Sequence, residues 1–252
     1  MYAEFVKPAS PSRLMDAVPE PRRGRRLVLR TVRRGAETIA WAQRSVRIDA
    51  DVFVVTPLAE PAAFPEPGTE PFFVELAIAD AAEVGAADFT PTLRPIGGPV
   101  GRRILELARR CERGRRAIAV DDTAAALWTD LLAEERALRA RAARISCVKP
   151  GTRDALFRRL LLSADYIQGN FAEPLKVGLL AEVSNLSPFH FARLFALVMG
   201  ETPHAFLVKK RLAVARRLLA AGIGRSEVAE RAGFGSRSTL FRHLREAAAR
   251  RP

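Results

Sequence analysis

Cysteine is nearly absent: Cys111 and Cys147 are the two in 252 residues. So few and so isolated, they cannot form a disulfide framework, a zinc cluster or a CxxC redox pair, and they read as buried or bystander thiols. Histidine is equally sparse. His190, His204 and His243 all lie in the C-terminal third, so the β-rich N-terminal half cannot supply the imidazole-rich site of a metal-dependent barrel. No metal, cofactor or catalytic residue is expected. No uninterrupted apolar run approaches the roughly 18 residues of a membrane helix. The first residues, MYAEFVKPASPSRLMDAVPEPRRGRR, lack the apolar segment of a signal peptide, so a cytoplasmic protein is expected.

What is present begins with charge. Hydrophobic residues make up 48% of the chain, enough for a real core, yet the net charge is +13. That sign favours a polyanionic partner, nucleic acid or an anionic membrane surface, the alternative being a merely solvated basic surface. From Lys149 onward there are 18 Lys/Arg against 8 Asp/Glu, and before it 23 against 20, so the excess sits in the C-terminal segment. The basic helices there lack a broad apolar face, which argues against a membrane surface.

Along the chain, residues 1–25 are rich in Pro and Arg and read as a poorly ordered arm, with Arg22, Arg23, Arg25 and Arg26 either solvated or touching nucleic acid. From Arg26 to about Ile78 come RLVLRTV, ETIAWAQRSVRI, DVFVVTPL and PFFVELAI, short β-rich runs separated by Gly, Asp and the Pro-rich EPAAFPEPGTEP. A small sandwich or barrel is expected, with either a ligand cavity or a closed apolar core. GGPVG at 97–101 lacks P-loop spacing and reads as a turn before the helix RRILELARRCE. Asp121 or Asp122 then caps a helix to about Ile145, with an apolar stripe of Ala126, Leu127, Leu131, Leu132, Leu138 and Ala142. That stripe packs on the β domain or on a second subunit. The Lys-Pro-Gly turn near 149 sets an expected boundary, giving a β-rich domain with following helices at 26–148 and an all-α domain at 149–252. The fold class is α+β.

Two stretches share one plan. VGLLAEVSNLSPFHFARLFALVMG and SEVAERAGFGSRSTLFRHLRE each hold a short apolar helix, a tight turn and a second helix opening at Ser, the pattern of a helix-turn-helix. In the first, Leu179, Leu180 and Val183 should pack inward, Ser184-Asn185-Leu186 turns, and Ser187 caps a helix with Pro188 at its first position. Phe191, Leu194 and Phe195 form its buried face, leaving Phe189, His190, Ala192, Arg193 and Ala196 on the others. In the second, Val228 and Ala229 pack, Gly233-Phe234-Gly235 turns, Ser236 caps, and Leu240 and Leu244 point inward. Ala181 registers on Ala229 at an offset of 48 and Arg193 on Arg242 at 49, so the second turn is one residue longer. Thr202-Pro203 opens a connecting helix to about Ala220. Its 18 residues span about 27 Å at 1.5 Å each, comparable with the roughly 34 Å between successive major-groove faces. Lys209, Lys210, Arg211, Arg216 and Arg217 lie on this connector, facing phosphate or solvent.

Across Ala155 to Arg245 the chain resembles the AraC/XylS family of bacterial transcription regulators. The motifs LLAEVSNLSPFHFARLF, MGETPHAFLVKKRLAVARRLL and VAERAGFGSRSTLFRHLRE carry the resemblance. It implies a seven-helix domain with two helix-turn-helix units and, often, an N-terminal cupin-like barrel for effector binding or dimerisation. It also implies double-stranded DNA as partner, read in two adjacent major grooves. The implied contacts are Phe189, Ala192 and Arg193 in the first recognition helix and Arg237, Ser238, Thr239 and Arg242 in the second. Ser187 and Ser236 would stand at caps facing phosphate. Arg193, Arg237 and Arg242 would read guanine O6 and N7, their alternative being phosphate neutralisation or intramolecular pairing. Phe189 would touch a thymine methyl or pack. A small-molecule effector, RNA polymerase and a second copy of the chain are further implied partners. Leu240 and Leu244 replace frequent aromatics of the family. The ending EAAARRP lacks its usual Gly-Ser/Thr-Pro and Tyr-Arg, so a less supported last helix and a weaker second head are expected.

The competing class is an enzyme carrying such a module, either a DNA-modifying alkyl transferase or a cupin-type oxygenase. Cys111 in RRCER has no recognisable active-site context, and the β region has no imidazole ligands. A third reading makes the N-terminal half an oligomerisation or docking module without a ligand.

Overall fold

The computed structural model describes residues 3–4, 26–41, 44–57, 62–77, 89, 92–112, 122–146 and 150–249. The arm arginines Arg22, Arg23 and Arg25, together with Cys147, lie outside them. The chain packs as two compact units, Met1–Ala137 and Leu138–Pro252.

The first unit holds eight described strands: β1 (Ala3–Glu4), β2 (Arg26–Arg34), β3 (Ala36–Trp41), β4 (Arg44–Asp49), β5 (Val52–Pro57), β6 (Ala62–Pro65), β7 (Glu70–Ala77) and β8 (Leu93–Pro95). They form two antiparallel sheets, one in the order β1-β7-β2-β5-β8 and one in the order β4-β3-β6. No ladder among the described residues joins the sheets into a closed barrel. Gly35, at φ +79°, carries the chain from β2 into β3. A Cβ there would stand 2.7 Å from Thr69 Oγ1, whose hydroxyl donates to the Ala36 carbonyl at 2.6 Å.

Period-2 alternation splits the core of this unit. Leu27, Leu29, Phe53, Val55, Val74 and Leu76 face one way, against Val100, Ile104 and Leu107 of α1 (Pro99–Glu112) and Leu127 and Leu131 of α2 (Asp122–Ala142). Val32, Val52 and Val54 face the other way, against Ile39, Val46 and Ile48 of the smaller sheet. Because β5 is covered on both faces, its VFVV run is continuously apolar rather than alternating. Arg30 reaches Glu37 through two bonds of 2.6 and 2.7 Å, so the fully buried carboxylate is matched by a guanidinium.

Two expectations need correcting. The run ETIAWAQRSVRI is two strands, β3 and β4, paired from Ala36↔Asp49 to Trp41↔Arg44. The Pro-rich EPAAFPEPGTEP contains β6, which among the described residues pairs only with β3. An edge strand tolerates proline because one side of its backbone needs no partner.

The second unit takes in the end of α2, whose Leu138 and Ala142 join Ile145 in its core. Six helices follow: α3 (Pro150–Gly169), α4 (Val177–Val183), α5 (Pro188–Met199), α6 (Pro203–Ala220), α7 (Arg225–Arg231) and α8 (Arg237–Ala249). Seven helices were expected; the described residues 150–249 hold these six. Phe157, Leu160, Leu161, Ala164 and Ile167 of α3 form the floor on which the others pack. No single helix among the described residues is long and apolar enough to cross a membrane; α5 and α6 reach that composition only together, across a bend of 57°.

Candidate nucleic-acid interface

The first head is α4, a turn and α5. Leu180 and Ala181 bury one side of α4 against α3, and a buried hydroxyl pair fixes it there. Ser163 Oγ donates to the Leu180 carbonyl at 3.0 Å and meets Ser184 Oγ at 2.6 Å. Leu179 departs from expectation, being 39% exposed. Seven residues make barely two turns of helix, so only one narrow face can be covered, and Leu180 and Ala181 occupy it.

The two turns share one hydrogen-bond plan. Asn185 sits at φ +51° and the Leu186 amide donates to the Ala181 carbonyl at 2.9 Å; Gly233 sits at φ +75° and the Phe234 amide donates to the Ala229 carbonyl at 2.8 Å. Both therefore turn through a left-handed residue. Glycine at 233 answers a second demand, since a Cβ there would lie 2.7 Å from Ala172 Cα and 2.8 Å from the Phe171 carbonyl oxygen. The offset changes after Phe234. Leu186 runs straight into the cap Ser187, whereas Gly235 separates Phe234 from Ser236, which places the extra residue at Gly235.

Beyond the caps the recognition helices keep the offset of 49. Phe191 and Leu240 are both fully buried and each donates its amide to the cap carbonyl, at 2.8 and 3.1 Å. Phe195 packs between Phe191 and Phe206, with ring centroids 5.4 and 5.5 Å away. Its counterpart Leu244 is half-buried at the margin of the same core. His243 takes the position of buried Leu194, its ring 5.7 Å from that of Phe234.

Of the residues assigned to DNA, Phe189 is 82% exposed, Arg193, Arg237, Ser238 and Arg242 are exposed, and Ala192 and Thr239 are half-buried. Phe189 and Arg193, one turn apart, share a face of α5. The cap serines differ. Ser236 Oγ accepts from the Thr239 amide at 3.1 Å and lies 3.0 Å from its hydroxyl, so Thr239 is drawn into the cap; Ser187 makes no side-chain cap bond. Arg242 Nη1 lies 3.4 Å from Glu246 Oε1, while Arg193 forms no ion pair among the described residues. Arg225, which sequence reasoning did not single out, stacks its guanidinium over Phe241 of α8 at 5.3 Å.

The connector is α6, opened by Thr202, whose hydroxyl accepts from the Ala205 amide at 3.2 Å. Two of its five basic residues turn inward. Lys210 is 5% exposed with Nζ 5.1 Å from the centre of the Phe171 ring. Arg211 donates to the carbonyls of Phe171 and Glu173 at 2.7 Å each, and burial pulls its guanidinium below the usual arginine range. These two clasp the α3–α4 loop rather than facing phosphate or solvent. Helical period alone could have placed Lys210, which lies on the stripe of buried Leu207 and Val214. Lys209 reaches outward to Glu201 at 3.1 Å.

Residues 180–252 match a family model described as a helix-turn-helix domain. Over 87 residues the chain is 33% identical to a probable transcriptional regulator, LumQ, of Photobacterium leiognathi; the match spans 34% of this chain and 35% of that relative's length. Among solved structures, the DNA-binding domain of AdpA in complex with a target DNA is 30% identical, covering 35% of this chain and 80% of that one, with a TM-score of 0.34. The C-terminal domain of AraT, a response regulator from Geobacillus stearothermophilus, is 25% identical and covers 41% and 81%, with a TM-score of 0.34. Residues 180–252 carry a helix-turn-helix domain of the AraC type.

Proposed function

We propose that the chain is a sequence-specific DNA-binding transcription regulator that acts in the cytoplasm without catalysis. The observation that carries this reading is the repeated helix, left-handed turn and capped helix, with an exposed arginine at the same register in both copies, Arg193 and Arg242. Each recognition helix would enter a major groove of double-stranded DNA, with α6 setting the separation at about 27 Å for 18 residues. Arg193, Arg237 and Arg242 would contact base edges. Phe189, Ala192, Ser238 and Thr239 would line the same faces, and the helix starts at Ser187 and Ser236 would approach phosphate.

The domain from 149 onward would read DNA, and residues 26–148, in a cupin-like arrangement of strands with following helices, would serve effector sensing or dimerisation. A small-molecule effector, RNA polymerase and a second copy of the chain are its proposed partners. Titration of promoter fragments and random duplexes at several salt concentrations tests the reading. Preference for particular fragments at every salt, relaxed by Arg193→Ala and Arg242→Ala, supports it; equal binding of all sequences would remove it.

A further inference from the structure

A groove of about 390 Å³ runs alongside α5, between that helix, Leu156 of α3 and the turn that ends α2. Arg144 and Ser146 form one rim, His190 and Arg193 the other, and Ile145 and Leu194 lie in its floor. None of its lining residues is acidic. Arg144 is exposed and, like Arg193, has no ion-pair partner among the described residues.

The turn bearing Arg144 is held in place from several directions. Its amides of Arg144 and Ile145 donate to Arg141 and Ala142 at 3.1 and 3.0 Å, and Ile145 is 1% exposed in the core. Arg153 Nε donates to the Ile145 carbonyl at 3.2 Å, and Arg141 Nη1 donates to the Met199 carbonyl at the C-terminal end of α5 at 3.2 Å. A cation on such a turn is set beside the recognition helix before any ligand arrives, so little backbone freedom is lost on binding.

We infer that this groove seats a backbone phosphate of the DNA whose bases α5 reads, with Arg144 as the contacting cation, so that the DNA-binding surface extends ahead of residue 180. The inference rests on the proposed DNA-reading function. Two arginines among the lining of a cleft that holds no acidic residue favour an anion. With Arg193 directed at bases, Arg144 on the other rim neutralises the flanking strand, and the apolar floor accepts the edge of a sugar. Such a contact positions the protein without reading sequence.

The test uses the full chain, a random duplex of roughly 30 base pairs, three helical turns, and a duplex selected for tight binding by the same protein. Arg144→Gln is compared with Arg136→Gln, which removes the same charge from an exposed position earlier on α2. Arg144→Gln should weaken binding to both duplexes equally, on the order of fivefold near physiological salt, and lower the slope of log K against log salt by about 1. Arg144→Lys should restore most of the slope, and Arg136→Gln should leave it unchanged. An Arg144→Gln protein with the slope and affinity of Arg136→Gln overturns the inference. A wild-type chain that binds the selected and random duplexes alike instead overturns the regulator reading, so the two failures are distinguishable.

Discussion

Arg211 and Gly233 meet at the α3–α4 loop, one through the Phe171 and Glu173 carbonyls and the other through close contact with Ala172. Arg211→Ala removes two charge-assisted bonds and should lower stability by about 2 kcal/mol in urea unfolding. Gly233→Ala meets both a left-handed backbone and a 2.7 Å approach, and should cost at least the roughly 1 kcal/mol of the backbone effect alone. In the first unit, Arg94 is paired with buried Glu135 at 2.6 Å and lies 3.7 Å from Glu134. Burial raises the Glu134 pKa above 4.5, outweighing the lowering by Arg94 and by the Val100 amide. The native state thus holds this proton more readily than the unfolded chain. Its contribution to stability is complete below 4.5 and is lost as pH rises through the folded value. Glu134→Gln should therefore gain on wild type as pH rises just above 4.5; parallel stability curves for the two proteins would contradict this.

At the scale of elements, the two recognition helices differ in how they begin. Ser236→Ala removes a cap bond and should cost about 1 kcal/mol, whereas Ser187→Ala removes none and should cost only a few tenths, a contrast measurable by thermal unfolding. The starts of α5 and α6 were legible because a capping residue stands before proline at each, and that of α8 because the cap Ser236 follows the left-handed turn at Gly233; local chemistry decides such ends. Strand β6 was not legible: its prolines argue against a strand unless its edge position is known, and that position depends on long-range pairing with β3. The apolar stripe of α2 was visible, but period does not say that Leu127 and Leu131 belong to one core and Leu138 and Ala142 to another. Exposed Arg193 and Arg242 could be picked from the repeat. The inward turn of Arg211 could not, because its acceptors lie 38 and 40 residues away in sequence.

At the scale of the whole molecule, the +13 charge would make the proposed affinity for DNA strongly dependent on salt, and base preference would have to come from the helices above that background. The heads are unequal in their cores and in the freedom of their arginines. The first sets Phe195 between two aromatic rings and leaves Arg193 without an ion pair among the described residues, while the second has half-buried Leu244 and Arg242 beside Glu246. An exposed pair of that kind is worth only a few tenths of a kcal/mol, so DNA can displace it. Arg193→Ala should relax preference at one half-site and Arg242→Ala at the other. Selection of binding sites by the full chain from a randomised duplex pool tests the two-headed reader most directly. Enrichment of a bipartite site with half-sites about one helical turn, 10–10.5 base pairs, apart is the predicted result. Recovery of all sequences in equal proportion at every salt concentration would contradict it.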